Sequence, residues 1–203
     1  MKQIATSTTL SLWCGFLISL GALAYLVVGG PLGALLFAFG LISVINTGKR
    51  NLYTGWVGIC NFGSWQGWAS LLSMLLLNAC GVLMGAFLTM SSGINISEPI
   101  ANIVEARMNA EWYEILSRSI YTGVIMHICV WMALYKQTIV PTLIGVPLFI
   151  LCGFPHCIAD VFYYGVYLCC DWDMNVLWPW FLSIVGNTIG CNIPVLIDWE
   201  MCK

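Results

Sequence analysis

The chain has 203 residues, of which 60% are hydrophobic and only 8% charged, with a formal net charge of −2. Soluble domains carry about 25% charged residues, so seven Lys plus Arg and nine Asp plus Glu cannot give a globule of this size a solvated surface. The balance excludes a soluble enzyme, a disordered tail and a nucleic-acid binder, which needs a basic patch. It leaves an integral membrane protein whose partner is the lipid bilayer.

A spanning helix takes about 20 mainly apolar residues. The first predicted span, 9–30, has no charge and is too long for a signal-peptide core. The second opens on Pro31, a helix-start residue, breaks at the polar run 46–51 and resumes to residue 60. The third covers 68–90. A polar stretch follows, holding Glu98, Glu105, Arg107 and Glu111. The fourth span covers 112–135, the fifth 140–168 with Gly153-Phe154-Pro155 in its middle, and the sixth 176–197. Most of the ten cysteines lie in apolar runs, where a thiol is a small buried hydrophobe. No Cys-x-x-Cys pair stands near a His, so neither a metal nor a cofactor site is expected.

Six spans put both termini on one side. Lys2, Lys136 and Lys203 share that side, and the acidic Glu98–Glu111 stretch and Asp171 with Asp173 lie opposite. By the positive-inside rule both termini are cytoplasmic, in a multi-pass protein of the inner or plasma membrane.

Two features recur. Asn78-Ala79-Cys80-Gly81 returns as Asn187-Thr188-Ile189-Gly190, and a broken second span has a counterpart in a broken fifth. Thr54 follows the first break and His156 the second. The 203 residues therefore form one membrane domain of two repeats, roughly 9–90 and 112–197. Each repeat has an odd number of spans, so the two run in opposite senses. Broken helices in inverted repeats meet at a midplane site in channels and transporters. The competing expectation is that the glycines and prolines only kink two helices.

An ionisable residue inside a span is a functional candidate by default, and His156 can give or take a proton near neutral pH. His127, with no break beside it, is expected to be structural. Lys49 and Arg50, in the first break, are placed to draw anions into a cytoplasmic vestibule; the alternative is a pair snorkelling to the interface. Arg118 is expected to pair with Glu114, one turn earlier. Phe37 and Phe149 occupy similar places in the broken spans, where large aromatics form a hydrophobic constriction or simply pack.

These segments resemble the formate/nitrite transporter family over nearly the whole chain. Gly153-Phe154-Pro155-His156-Cys157-Ile158-Ala159-Asp160 is similar to the family's Gly-Phe-Glu-His-Ser-Ile-Ala-Asn. Asn51-Leu52-Tyr53-Thr54-Gly55 is similar to its Asp/Glu-Leu-Phe-Thr-Gly loop. Phe37-Ala38-Phe39-Gly40-Leu41, Val130-Trp131-Met132-Ala133 and Gly186-Asn187-Thr188-Ile189-Gly190 resemble further family segments. The resemblance implies an all-α, aquaporin-like fold of six transmembrane helices with helices two and five broken, assembled as a homopentamer. It implies passage of small monovalent weak-acid anions such as formate, nitrite, hydrosulfide or lactate, linked to protons through the pore histidine. His156 falls on that histidine and Thr54 on the threonine facing it. Phe37 and Phe149 fall on the outer constriction, and Leu41, Leu52 and Tyr53 on the inner one. Arg107 falls where the family has an anion-attracting lysine, and Gly123 where it has a pore asparagine. Rival expectations are a non-conducting structural or regulatory relative and a neutral-solute or water channel. An enzyme is not expected, because His156 and Cys157, adjacent on a helix, would point about 100° apart.

Overall fold

The computed structural model describes residues 8–47, 51–58 and 64–197. Lys2, Lys49, Arg50, Trp199 and Lys203 lie outside them. The described residues form helices and the turns between them, with no strand: α1 (Thr8–Val28), α2 (Gly30–Thr47), α3 (Tyr53–Trp56), α4 (Trp65–Ser91), α5 (Ser97–Met108), α6 (Trp112–Tyr135), α7 (Val140–Leu151), α8 (Asp160–Cys170) and α9 (Leu177–Ile197), with a 3₁₀ turn at Met174–Val176 before α9. Five stretches are long and apolar enough to cross a bilayer: α1, α2, α4, α6 and Met174–Ile197. Residues 140–168, expected to be a fifth span, hold two helices too short to be counted among these five, α7 and α8, joined by the non-helical segment 152–159.

Local chemistry explains the ends. Ser64 caps α4 by accepting from the Gly67 N–H at 3.1 Å. Glu111 and Glu114 form a reciprocal capping box that starts α6 at the predicted residue. At the end of α7 the Phe154 N–H reaches the Phe149 carbonyl (2.9 Å) and the Gly153 N–H reaches that of Ile150 (3.0 Å). This is the double bond pattern of a Schellman cap, and it needs a left-handed residue, here Gly153 with φ 67°. Pro155 follows and has no N–H with which to continue a helix.

The polar stretch after the third span is a helix in its own right. Ile96, Ile100 and Val104 recur every fourth residue and are buried at 3%, 1% and 0% exposure. That stripe packs α5 against α8.

The two halves repeat one packing scheme. α1 crosses α4, and α6 crosses α9. A Cβ at Gly81 would strike the Leu12 carbonyl oxygen, and one at Gly190 would strike that of Ile120. Without a hydrophobic drive between helices in lipid, such backbone-to-backbone approach is how spans gain contact. The outward faces carry exposed apolar side chains such as Leu72, Leu76, Phe87 and Ile144. Trp65, Trp112, Trp172 and Trp178 are exposed near helix ends, as interfacial anchors are.

Candidate functional site

Two buried asparagines build the site. Asn78 Nδ2 donates to the carbonyls of Ser11 and Asn51, both at 2.8 Å, while its Oδ1 accepts from the Tyr53 N–H at 2.8 Å. Asn187 Nδ2 donates to the carbonyls of Ser119 (2.9 Å) and Pro155 (3.1 Å), and its Oδ1 accepts from the Cys157 N–H at 2.9 Å. Each side chain thus ties a helix crossing to backbone at or beside a helix end, where polar groups have no partner within a helix. The matched bonds set the register between the halves: Asn51 with Pro155, Tyr53 with Cys157. Thr54 and His156 are therefore not equivalent positions; they are opposing ones, and they touch.

His156 is held from three sides. Its Nδ1 accepts from the Ala159 N–H at 3.1 Å, its own N–H donates to Asp160 Oδ1 at 3.3 Å, and its Nε2 lies 3.2 Å from Thr54 Oγ1. Because Nδ1 is occupied as an acceptor, the neutral ring carries its proton on Nε2 and donates it to the threonine oxygen. The Thr54 hydroxyl proton is then left to donate onward. Phe149 stacks on the imidazole (centroids 5.7 Å, 21°), and Phe37 meets Phe149 edge-on at 6.2 Å. Leu41 and Leu52 are buried, and Tyr53 Oη shares a 2.7 Å hydrogen bond with Thr188 Oγ1. His127 is also buried, on α6, and does not line the cavity described next.

A cavity of about 310 Å³ runs from Asn102, Ile103 and Ala106 of α5 inward to Phe149 and His156. Arg107 lines it, but not as a free cation: its Nη1 lies 2.7 Å from Asp160 Oδ1, with the side chains 11% and 1% exposed. Arg118 also lines the cavity and pairs with Glu114 at 3.3 Å, as the sequence spacing predicts. Sequence reasoning missed Asp160 as the link between Arg107 and the His156 backbone. The available signal was a carboxylate inside an apolar run, which demands a partner.

Gly123 sits in the crossing of α6 and α9. A Cβ there would strike the Asn187 carbonyl oxygen and lie 2.8 Å from the Cys191 nitrogen. The position has no room for a pore-facing amide in this chain. Gly123→Asn is expected to push α9 away and lower stability by about 1–3 kcal/mol, read as a drop in the melting temperature of the purified protein.

The fold matches solved membrane channels. A structure described as a pentameric formate channel with formate bound superposes with a TM-score of 0.82 at 17% identity, covering 96% of this chain and 95% of that one. One described as an FNT family ion channel superposes with a TM-score of 0.82 at 18% identity, covering 97% and 89%. No curated protein matches the chain in sequence. The family described as formate/nitrite transporter matches residues 1–199. The chain belongs to the formate/nitrite transporter family, a multi-pass membrane transport protein and not an enzyme.

Proposed function

We propose that the protein conducts small monovalent weak-acid anions, formate and nitrite foremost and hydrosulfide or lactate among the remainder, through a passage in each subunit. The observation that carries this reading is the meeting of two asparagine-clamped segments, the short helix α3 with the turn before it and the non-helical stretch 152–159, at the Thr54–His156 contact. Irregular backbone at such depth is tolerated where it is buried in protein or lines a wet cavity, and the cavity from α5 ends at His156. Segments 140–151 and 160–170 then form one interrupted span, the six spans form two inverted repeats, and both termini face the cytoplasm. The formate channel that the fold matches is described as pentameric, and we extend that assembly to this chain.

In this reading the solute passes Phe37 and Phe149, meets Thr54 and His156, and leaves past Leu41, Leu52 and Tyr53. An anion stripped of water faces a penalty of several kcal/mol. The Thr54 hydroxyl and the imidazole Nε2–H supply donors where that penalty peaks. Protonating Nδ1 would set two donors, Nδ1–H and the Ala159 N–H, against each other. His156 therefore works as a fixed hydrogen-bond donor, and the linked proton travels on the weak acid itself. Lys49 and Arg50 would gather anions at the cytoplasmic mouth.

Flux of formate, nitrite, hydrosulfide and lactate into proteoliposomes at pH 5.5 and 7.5 tests the proposal. We expect at least one small anion to move well above empty vesicles, and faster at the lower pH. Equal flux with and without protein for all four would reject it. The Arg107–Asp160 pair and the burial of His156, Phe37 and Phe149 favour a second reading, a non-conducting relative. That same null result would select it.

A further inference from the structure

The cavity that reaches His156 is lined by two cations, and both are paired with carboxylates. Arg107 is bound to Asp160 at 2.7 Å and its guanidinium lies over the Tyr163 ring at 5.5 Å; Arg118 is bound to Glu114 at 3.3 Å. The surroundings add negative charge. Glu98 and Glu105 stand on α5, Glu111 caps α6, and Asp171 and Asp173 follow α8. Lys136, the remaining cation among the described residues, sits at the far end of α6. Measured along α6 from Arg118, which lines the cavity, Lys136 is about 27 Å away, more than three Debye lengths at physiological salt.

We propose that Asp160 is a specificity-determining residue. By neutralising Arg107 it leaves the mouth beside α5 without an anion-gathering field, and this mouth admits the solute as the uncharged acid. The consequence for transport rests on the anion-channel reading above; the electrostatic statement does not. Asp160 Oδ1 also accepts the His156 N–H, so one carboxylate both cancels the cation and steadies the turn that carries the imidazole.

Cys152 is exposed and lines the same cavity, which makes it a built-in probe of local potential. The experiment measures its rates of modification by an anionic methanethiosulfonate (ethylsulfonate) and a cationic one (ethyltrimethylammonium), resolved by peptide mass spectrometry. The anionic-to-cationic ratio is normalised to a free thiol. For the unmodified protein we expect a ratio at or below one. Asp160→Asn keeps an oxygen to accept the His156 N–H and strands the Arg107 charge. Exposing one unit charge in a partly wet mouth should raise the ratio about tenfold, and 0.5 M salt should shrink the rise. Arg107→Gln should lower the ratio by a similar factor, and carries the test if Asp160→Asn cannot be purified. The double variant should return to within threefold of the unmodified protein. A starting ratio well above one, or single variants within twofold of the unmodified protein, would overturn the proposal. In a parallel arm, formate flux should become dependent on ionic strength in Asp160→Asn only. Absence of flux in every variant would remove the transport reading, while the thiol ratios still decide the electrostatic one.

Discussion

His156→Ala is expected to cut formate flux in proteoliposomes by ten- to a hundredfold without dissociating the protein. The imidazole Nε2 lies 3.2 Å from Thr54 Oγ1, and Nδ1 is committed to the Ala159 N–H at 3.1 Å. Leaving the solute's acceptor oxygen unpaired in a dry site costs about 1–3 kcal/mol, and each 1.4 kcal/mol is a factor of ten in rate. Alanine also removes the ring on which Phe149 stacks, so the constriction loosens as the donor disappears. The two effects separate with solute size: flux of formate falls while exclusion of bulkier acids weakens. Thr54→Val keeps the shape, removes the hydroxyl, and should lower formate flux less than His156→Ala does, because Nε2–H remains. Full formate flux in His156→Ala would mean that the passage runs elsewhere.

Asn187→Ala is expected to be the most destabilising single substitution near the site, lowering the melting temperature by about 10 °C. The side chain makes three buried hydrogen bonds to backbone groups of Ser119, Pro155 and Cys157. Each group left unpaired in a dry interior costs about 1–3 kcal/mol, with the lower end more typical between helices in lipid. The sum, a few kcal/mol, corresponds to that shift in a chain of this size. Asn78→Ala removes the matching bonds to Ser11, Asn51 and Tyr53 and should cost a similar amount. A loss under 1 kcal/mol in both, measured by reversible unfolding in mixed micelles, would show that the turns are held by packing instead.

Much of the architecture was legible because apolar run length and end chemistry act locally. The run 112–135 coincides with α6, since Glu111 and Glu114 cap one end and Lys136 closes the other. The interruption at Gly153-Phe154-Pro155 was legible for the same reason: a left-handed glycine and a proline act on their own neighbours. α5 is only partly legible. Its apolar residues at 96, 100, 104 and 108 follow a helical period, but Glu98, Glu105 and Arg107 made the stretch look like a loop. The Arg107–Asp160 pair was not legible, because it joins α5 to α8 across 53 positions of sequence and depends on how the two helices dock. The register between the halves was only half legible. The repeated asparagines mark it and the family resemblance sets Thr54 facing His156, but the positions after the two breaks also read as a repeat pair, whereas the two side chains are in contact. Similarity of sequence position could not distinguish equivalence from contact; the hydrogen bonds of Asn78 and Asn187 do.

The most direct measurement is a pair of cryo-EM maps of the protein in lipid nanodiscs, one without and one with a high concentration of formate. The account predicts difference density within hydrogen-bonding reach of Thr54 Oγ1 and His156 Nε2, between the Phe37–Phe149 pair and the Leu41–Leu52 layer, once in each of five subunits. An unbroken helix through 152–159, or formate density only at a subunit boundary with the Thr54–His156 contact closed and dry, would contradict it.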